Sequence, residues 1–296
     1  MQITKEQQEV LDTFTCERLT SHEENRQLIE SFDSEKGKPI VAYLKKDAWQ
    51  EDKAGISAVY LVKNSDGIPC MYFAIKCGAL FQPLNEDEIK KEYVAAREII
   101  QSLKTHTGGD SSPEKIQDAL EAMRLQRNIS APEIIEEVVL ASQTKTNLGR
   151  AIRMIENDKA REGARPIQRV STIYPGVEIT HFCTNDNNKA FWNTYNIRYP
   201  MGEVLFWHFV PPIITSIRTI VGCQFAFLFA ADSTPDGNLT NYYNTQLKFS
   251  KLADVGTSKP YYDFCCEFMS EEISEMELNR AAFFDGFNTD PDDVIA

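Results

Sequence analysis

The sequence has little histidine, four residues in 296, and no Cys-x-x-C pair among its seven cysteines. Cys16, Cys70, Cys77, Cys183, Cys223, Cys265 and Cys266 are odd in number and lie mostly inside apolar runs. That pattern points to free, buried thiols in a reducing compartment, not to a disulfide frame or a metal site. No apolar run approaches the roughly 20 residues that cross a bilayer. The first residues, MQITKEQQEV, have neither the basic start nor the apolar centre of a secretory leader. The expectation is a cytoplasmic protein with no membrane segment and no metal. Basic residues are outnumbered, 31 against 44 acidic ones, giving a net charge of −13 and a pI near 4.9. Such a surface repels phosphate backbones, so nucleic acid is not an expected partner. It suits an amine-bearing substrate, and it equally suits plain solubility.

What is present divides into strand-rich flanks and a helical middle. Glu9–Leu19 reads as a short strand or a helix end. Ser21 with Glu24 forms a capping box for a polar helix to about Phe32, and Ile40–Trp49 reads as a second helix. Gly55–Lys63 and Ile68–Phe81 flank Asn64-Ser65-Asp66-Gly67, a strong hairpin signal. From Gln82 the period becomes helical. Ile89, Tyr93, Ala96, Ile100 and Leu103 share one stripe, and Pro113 opens a second helix. Ser130-Ala131-Pro132-Glu133 caps a third, and a last segment with Leu148, Ile152 and Ile155 ends near Gly163. Strand character returns at Val170, with Val177–Thr184 the clearest case. Val204–Ile220 reads as a helix disturbed by Pro211-Pro212. Lys259–Met269 reads as a closing strand and Ser270–Phe284 as a capped helix. No internal repeat is visible.

The chain is organised around Val221–Phe249. Val221–Ala231 is apolar enough for a strand buried on both faces. Asp232–Asn238 forces a turn. A short helix follows, with Leu239, Tyr242, Tyr243, Gln246 and Leu247 on one face.

With the helical block set aside, this element order resembles the GNAT N-acetyltransferase superfamily over about 160 residues. Val177–Thr184 looks like the family's fourth strand, whose backbone pairs with the pantetheine arm of acetyl-CoA. Arg198–Val204 (RYPMGEV) is similar to the pyrophosphate loop, with Gly202 the one glycine clearly in place. Val221–Asp232 looks like the fifth strand, and Leu239–Phe249 like the closing helix. The fold this implies is α/β, a GNAT-like mixed and mostly antiparallel sheet flanked by helices, with an all-helical insertion. The corresponding domains are 1–81, the insertion 82–169, a CoA-binding part 170–270, and a C-terminal helix with acidic tail 271–296.

The activity implied is transfer of an acetyl group from acetyl-CoA to a primary amine of a small molecule or peptide, by direct attack in a ternary complex. A homo-oligomer stays open. Phe182, Cys183 and Thr184 on the strand and Met201, Gly202, Glu203 and Val204 on the loop are the implied cofactor contacts. Protonating the departing thiolate needs an acid. The family often uses a tyrosine of the last helix, which implies Tyr243 first and Tyr242 second. Core packing is the competing role for both rings. The base is expected at Glu178 or His181, which strand alternation sends to opposite faces, so that only one reaches the cleft. A satisfied structural polar group is the competing role for each. Cys183 and Cys223 have no histidine and acid spaced to make them nucleophiles. The arginines of the helical block are interleaved with acids, as on a solvated face. A catalytically silent GNAT-like binding or sensing protein is the alternative reading, since the loop is reduced to one glycine.

Overall fold

The computed structural model describes residues 3–162, 169–231, 237–252, 255–258 and 266–285. It divides into two compact units, Met1–Gln82 with Thr172–Ala296, and Pro83–Ser171. The chain begins with α1 (Lys5–Asp12), capped reciprocally by Thr4 and Gln7, and β1 (Thr15–Arg18). Both options for Glu9–Leu19 are therefore realised in succession. The expected capped helix from Ser21 to Phe32 is absent. Ser21 closes a 3-10 turn, α2 (Asn25–Leu28) is four residues long, and no side chain caps it. The buried Asn25 explains the difference: its amide donates to Glu17 Oε1 at 2.9 Å and Leu19 O at 3.1 Å, so tertiary bonds override the local capping signal.

The expected helix Ile40–Trp49 is also two, α3 (Lys38–Lys46) and α4 (Ala48–Ala54). The break lets Asp52 point inward, where it accepts from Arg18 Nε at 2.8 Å, Thr20 N at 3.1 Å and Val59 N at 2.8 Å. β2 (Ala58–Lys63) and β3 (Pro69–Pro83) form the expected hairpin. Its turn is held by Asn64 Oδ1, which accepts from Asp66 N and Ile68 N, with Gly67 at φ +76°.

In the second unit, α5 (Glu86–Thr107) is capped by Asn85, and α6 (Pro113–Arg127) ends on Asn128 at φ +57°. Where two segments were expected, α7 (Ala131–Glu162) is one helix of 32 residues. Gly149 does not break it. A Cβ there would stand 3.1 Å from the Tyr93 ring, so the glycine admits close approach of α5. Ion pairs Glu121–Arg124 and Glu86–Lys159 lie on the exposed faces, as the interleaved charges suggested. Gly163 lies outside the described residues.

The chain then returns through β4 (Val170–Thr184), α8 (Lys189–Thr194), α9 (Met201–Ile220), β5 (Phe225–Ala230), α10 (Asn238–Thr245), β6 (Glu267–Glu272) and α11 (Ile273–Asp285). Among the described residues six strands lie in sequence order in one mixed sheet. β1/β2, β2/β3 and β5/β6 are antiparallel, and β4/β5 is parallel. β3 and β4 run in opposite directions, as Asn185 N on Cys70 O and Thr180 Oγ1 on Ala74 O require. One face carries the larger core, built on α9 with Phe73, Ile75, Val177, Ile179, Ala226 and Leu228. The opposite face carries a cluster under α3 and α4, with Tyr72 and Ala74, and a smaller one around Leu80, Phe225 and Phe227.

Three expectations change here. The apolar run Val221–Ala231 splits, because Val221 N donates to Ile217 O and closes α9, leaving Phe225–Ala230 as the strand. Ser270–Glu272 is not helix but the end of β6, captured by pairing with Phe227–Phe225. Residues 259–265 of the expected closing strand, and Asp232–Asp236 of the expected turn, lie outside the described residues. Finally, α9 runs unbroken through Pro211 and Pro212. Pro211 cannot donate to Trp207 O, and Arg280 Nε of α11 does so instead at 3.0 Å, satisfying the carbonyl that the proline orphans.

Beneath α11, Glu271 is buried with its Oε1 accepting from Asn279 Nδ2 at 2.7 Å and its Oε2 without a partner among the described residues. Burial pushes this carboxyl up to about 7. The folded state therefore holds a proton that the unfolded chain releases near 4.5, and stability falls as pH rises between the two. Glu271→Gln keeps the bond from Asn279 and removes the titration. The variant should match the parent below pH 4.5 and become progressively the more stable through pH 7. Urea unfolding across that range reads this directly, and a constant difference would contradict it.

Candidate functional site

The sheet opens between β4 and β5. Their parallel register runs only from Gly176–Phe225 to Ile179–Leu228, while β4 continues to Thr184. Backbone groups of Thr180–Thr184 on that side are left to bond something other than β5, which is how an extended ligand is accepted by a sheet edge.

An irregularity in β4 decides which side chains meet there. Val177 and Ile179 pack on the α9 face, while Glu178 reaches across the other face to Lys76, Oε2 to Nζ 3.3 Å. Past Thr180 the alternation resets by one residue. Phe182 returns to the α9 face, edge-on to Phe206 at 5.6 Å. His181 stacks on Tyr43 of α3, with ring centroids 3.7 Å apart and planes 2° from parallel, and Cys183 joins the α3 cluster. One extra residue in the pleat is the signature of a bulge. Glu178 and His181 therefore share a face, which corrects the expectation that they point apart.

The two groups differ in state. Glu178 is 6% exposed, and its Oε1 is buried without a hydrogen-bond partner among the described residues. Burial lowers His181 to about 4, so its ring is neutral across the physiological range. Its Nδ1 lies 3.1 Å from Thr180 Oγ1. Tyr43 is held by its hydroxyl, which donates to Glu51 Oε2 at 2.7 Å. Tyr43 and Lys76 were missed in the sequence. A lone lysine within the apolar stretch of β3 was the available signal.

Both tyrosines of α10 are half-buried against the α9-side core, with their rings 5.8 Å apart. Burial pushes the Tyr243 phenol up to about 12, with the Cys183 thiol adding to the effect. Tyr242 is raised by burial, by Tyr243 and by Glu203. Its hydroxyl faces Gly202, where a Cβ would meet Thr184 Cγ2 at 3.1 Å and Tyr242 Oη at 3.5 Å. Gly202 thus lets the start of α9 pack against the end of β4.

The rest of the expected loop is less accessible. Met201, Glu203 and Val204 are buried. Glu203 N and Val204 N are both taken by Pro200 O, at 3.1 and 3.2 Å. Burial raises the Glu203 carboxyl, and with the Gln246 amide turned so that its nitrogen faces it, that nitrogen donates to both carboxylate oxygens. A first turn that contains a buried carboxylate and has two of its amides engaged is a weak anion cradle. Burial raises Cys183 to about 11 and also raises Cys223, so neither thiol is a ready nucleophile. Among the described residues no group of three or more His, Cys, Asp or Glu stands close enough to hold a metal ion. Nor, among those residues, is any helix long and apolar enough to cross a membrane. A cavity of about 690 Å³ lies at the other end of β5, lined by Tyr174, Arg218, Gln224 and Glu272 among others, and none of the expected site residues lines it.

No protein-family model matches the chain, and no curated protein matches it. Solved structures with a partly similar fold include AtaTR bound with acetyl-CoA, at a TM-score of 0.46 and 11% identity over 90% of this chain and 98% of that one. The KacTA–DNA complex aligns at 0.44 and 11% identity, covering 91% and 99%. AtaT complexed with acetyl-methionyl-tRNAfMet aligns at 0.42 and 11% identity, covering 90% and 98%. Likeness at this level carries no weight for activity.

Proposed function

We propose that the chain is an acetyl-CoA-dependent N-acetyltransferase acting on a primary amine. The observation that carries this reading is Glu178, a buried carboxylate with one oxygen that has no partner among the described residues, beside the place where β4 and β5 part. The unpaired backbone of Thr180–Thr184 is the binding edge for the pantetheine arm of acetyl-CoA, as the family resemblance implies. An amine arrives protonated, and Glu178 takes its proton. The freed lone pair attacks the thioester carbonyl, the acylated nitrogen sheds its second proton to solvent, from which the tyrosine is later reprotonated, and the carbon–sulfur bond breaks. Tyr243, fully protonated with its phenol near 12, donates to the departing thiolate. Neutral His181 orders the acceptor side and takes no proton near pH 7.

Incubation with acetyl-CoA and a panel of primary amines, read by mass spectrometry for acetylated product, tests this. Tyr243→Phe is expected to lower kcat about 100-fold while acetyl-CoA still binds. Normal turnover by the variant removes that tyrosine from the mechanism.

The second reading, a silent binding or sensing protein, is favoured by one feature, the buried Glu203 in the first turn of α9. It predicts that no amine in the panel is acetylated even though the chain is folded.

A further inference from the structure

The cavity of about 690 Å³ at the start of β5 has the size of a small-molecule site, for which roughly 300–1,000 Å³ is usual. It lies away from the opening between β4 and β5, about 16 Å back along β4 from Thr180 to Pro175 at roughly 3.3 Å per residue. The backbone at the strand start is already satisfied. Gln224 N donates to Pro175 O at 2.8 Å, and Gln224 O accepts from Ile273 N at 2.9 Å. Recognition therefore falls to side chains. Tyr174 and Phe225 stand edge to face with centroids 5.5 Å apart, and with the exposed Leu252 they supply apolar surface. Arg218, from the last turn of α9, supplies a cation. Its Nη1 lies 3.4 Å from Glu277 Oε1, an oxygen that already accepts from Thr215 Oγ1 at 2.9 Å. That contact is longer than the roughly 2.7–2.9 Å of a charge-assisted bond, so the guanidinium keeps donors for a carboxylate. Glu272, at the end of β6, supplies an anion, and its contact with Ser274 Oγ is long at 3.5 Å.

We infer that this cavity is a ligand site for a short peptide with both ends free and a bulky apolar side chain. Its carboxylate meets Arg218, its ammonium meets Glu272, and its side chain lies against Tyr174, Phe225 and Leu252. A purely anionic ligand would face Glu272 and a purely cationic one Arg218, so opposite charges in one cavity select a zwitterion. The inference does not depend on the acetyltransferase reading, because no group assigned to that chemistry lines the cavity.

The test is ligand-observed NMR on the full chain, with the dipeptide Ala-Phe as probe. N-acetyl-Ala-Phe lacks the ammonium, Ala-Phe amide lacks the carboxylate, and Ala-Ala lacks the ring. Ala-Phe is expected to bind most tightly, with each capped form about two- to fivefold weaker. Ala-Ala should be weaker by about tenfold or more. Arg218→Gln should bring Ala-Phe down to the level of its amide and leave the amide unchanged, whereas Arg218→Lys, which keeps the charge, should retain most of the binding. A Cβ at Gly222 would meet nothing within 4 Å, so the fold has room for Gly222→Leu, which should weaken all four probes by entering the cavity. The Arg218 variants, altered at an exposed side chain, guard against a Gly222 variant that fails to fold. Equal binding of Ala-Phe and either capped form, indifference of Ala-Phe to Arg218→Gln, or no binding of Ala-Phe at millimolar concentration overturns the inference.

Discussion

Glu178→Gln is expected to lower kcat/KM for acetyl transfer by about 10²–10⁴ without loosening acetyl-CoA. The substitution keeps the shape of the side chain and its reach to Lys76, so the fold should not change, but an amide cannot take a proton from an arriving ammonium. Among the described residues Oε1 of Glu178 is buried and without a partner, which costs stability. The variant should therefore be at least as stable as the parent while being far less active. That opposite movement of stability and activity separates a catalytic carboxylate from a structural one. If Glu178 were only the partner of Lys76, at 3.3 Å, activity would stay within a few-fold and stability would drop. Steady-state rates on the best acceptor, with unfolding curves on the same samples, decide between them.

The largest expected effect on stability is at Asp52. Its side chain is fully buried, and it accepts from Arg18, from the amides of Thr20 and Val59, and from the Thr20 hydroxyl. Asp52→Ala leaves two amides and a hydroxyl without an acceptor, at about 1–3 kcal/mol for each group that stays dry. Arg18 is partly exposed and can turn to water, so its share is smaller. The expected loss is about 3–5 kcal/mol, a drop in Tm of roughly 6–20 °C. Asp52→Asn, which keeps one acceptor oxygen, should fall between the two. A loss below about 1 kcal/mol on Asp52→Ala would show that water replaces the carboxylate and that α4 is not anchored through it. The site depends on this anchor, because α4 carries Glu51, the acceptor for the Tyr43 hydroxyl.

Much of the architecture was legible because it depends on local chemistry. Asn64-Ser65-Asp66-Gly67 specifies its turn through one side chain and one positive φ, so the hairpin followed. The period of Ile89, Tyr93, Ala96, Ile100 and Leu103 specifies α5. What was not legible depends on partners distant in sequence. Asn25 abandons a capping role for Glu17 and Leu19. Pro211 stays helical because Arg280, 69 residues later, supplies a donor. The reset of β4 at Thr180 cannot be seen in VEITHFC, where alternation is the natural reading, and it moves His181 to the face of Glu178. The tyrosine pair was found by pattern. The packing of Tyr242 and the end of β4 around Gly202 required the fold.

The central claim is that the opening between β4 and β5 is a binding site for acetyl-CoA, despite the buried carboxylate at the start of α9. A thermal-shift titration of the full chain with acetyl-CoA tests it most directly. At 100 times the dissociation constant, occupancy of one site stabilises the folded chain by about 2.7 kcal/mol. The expected result is a concentration-dependent rise in Tm of roughly 5–10 °C that saturates. An unchanged Tm at millimolar acetyl-CoA would contradict the account.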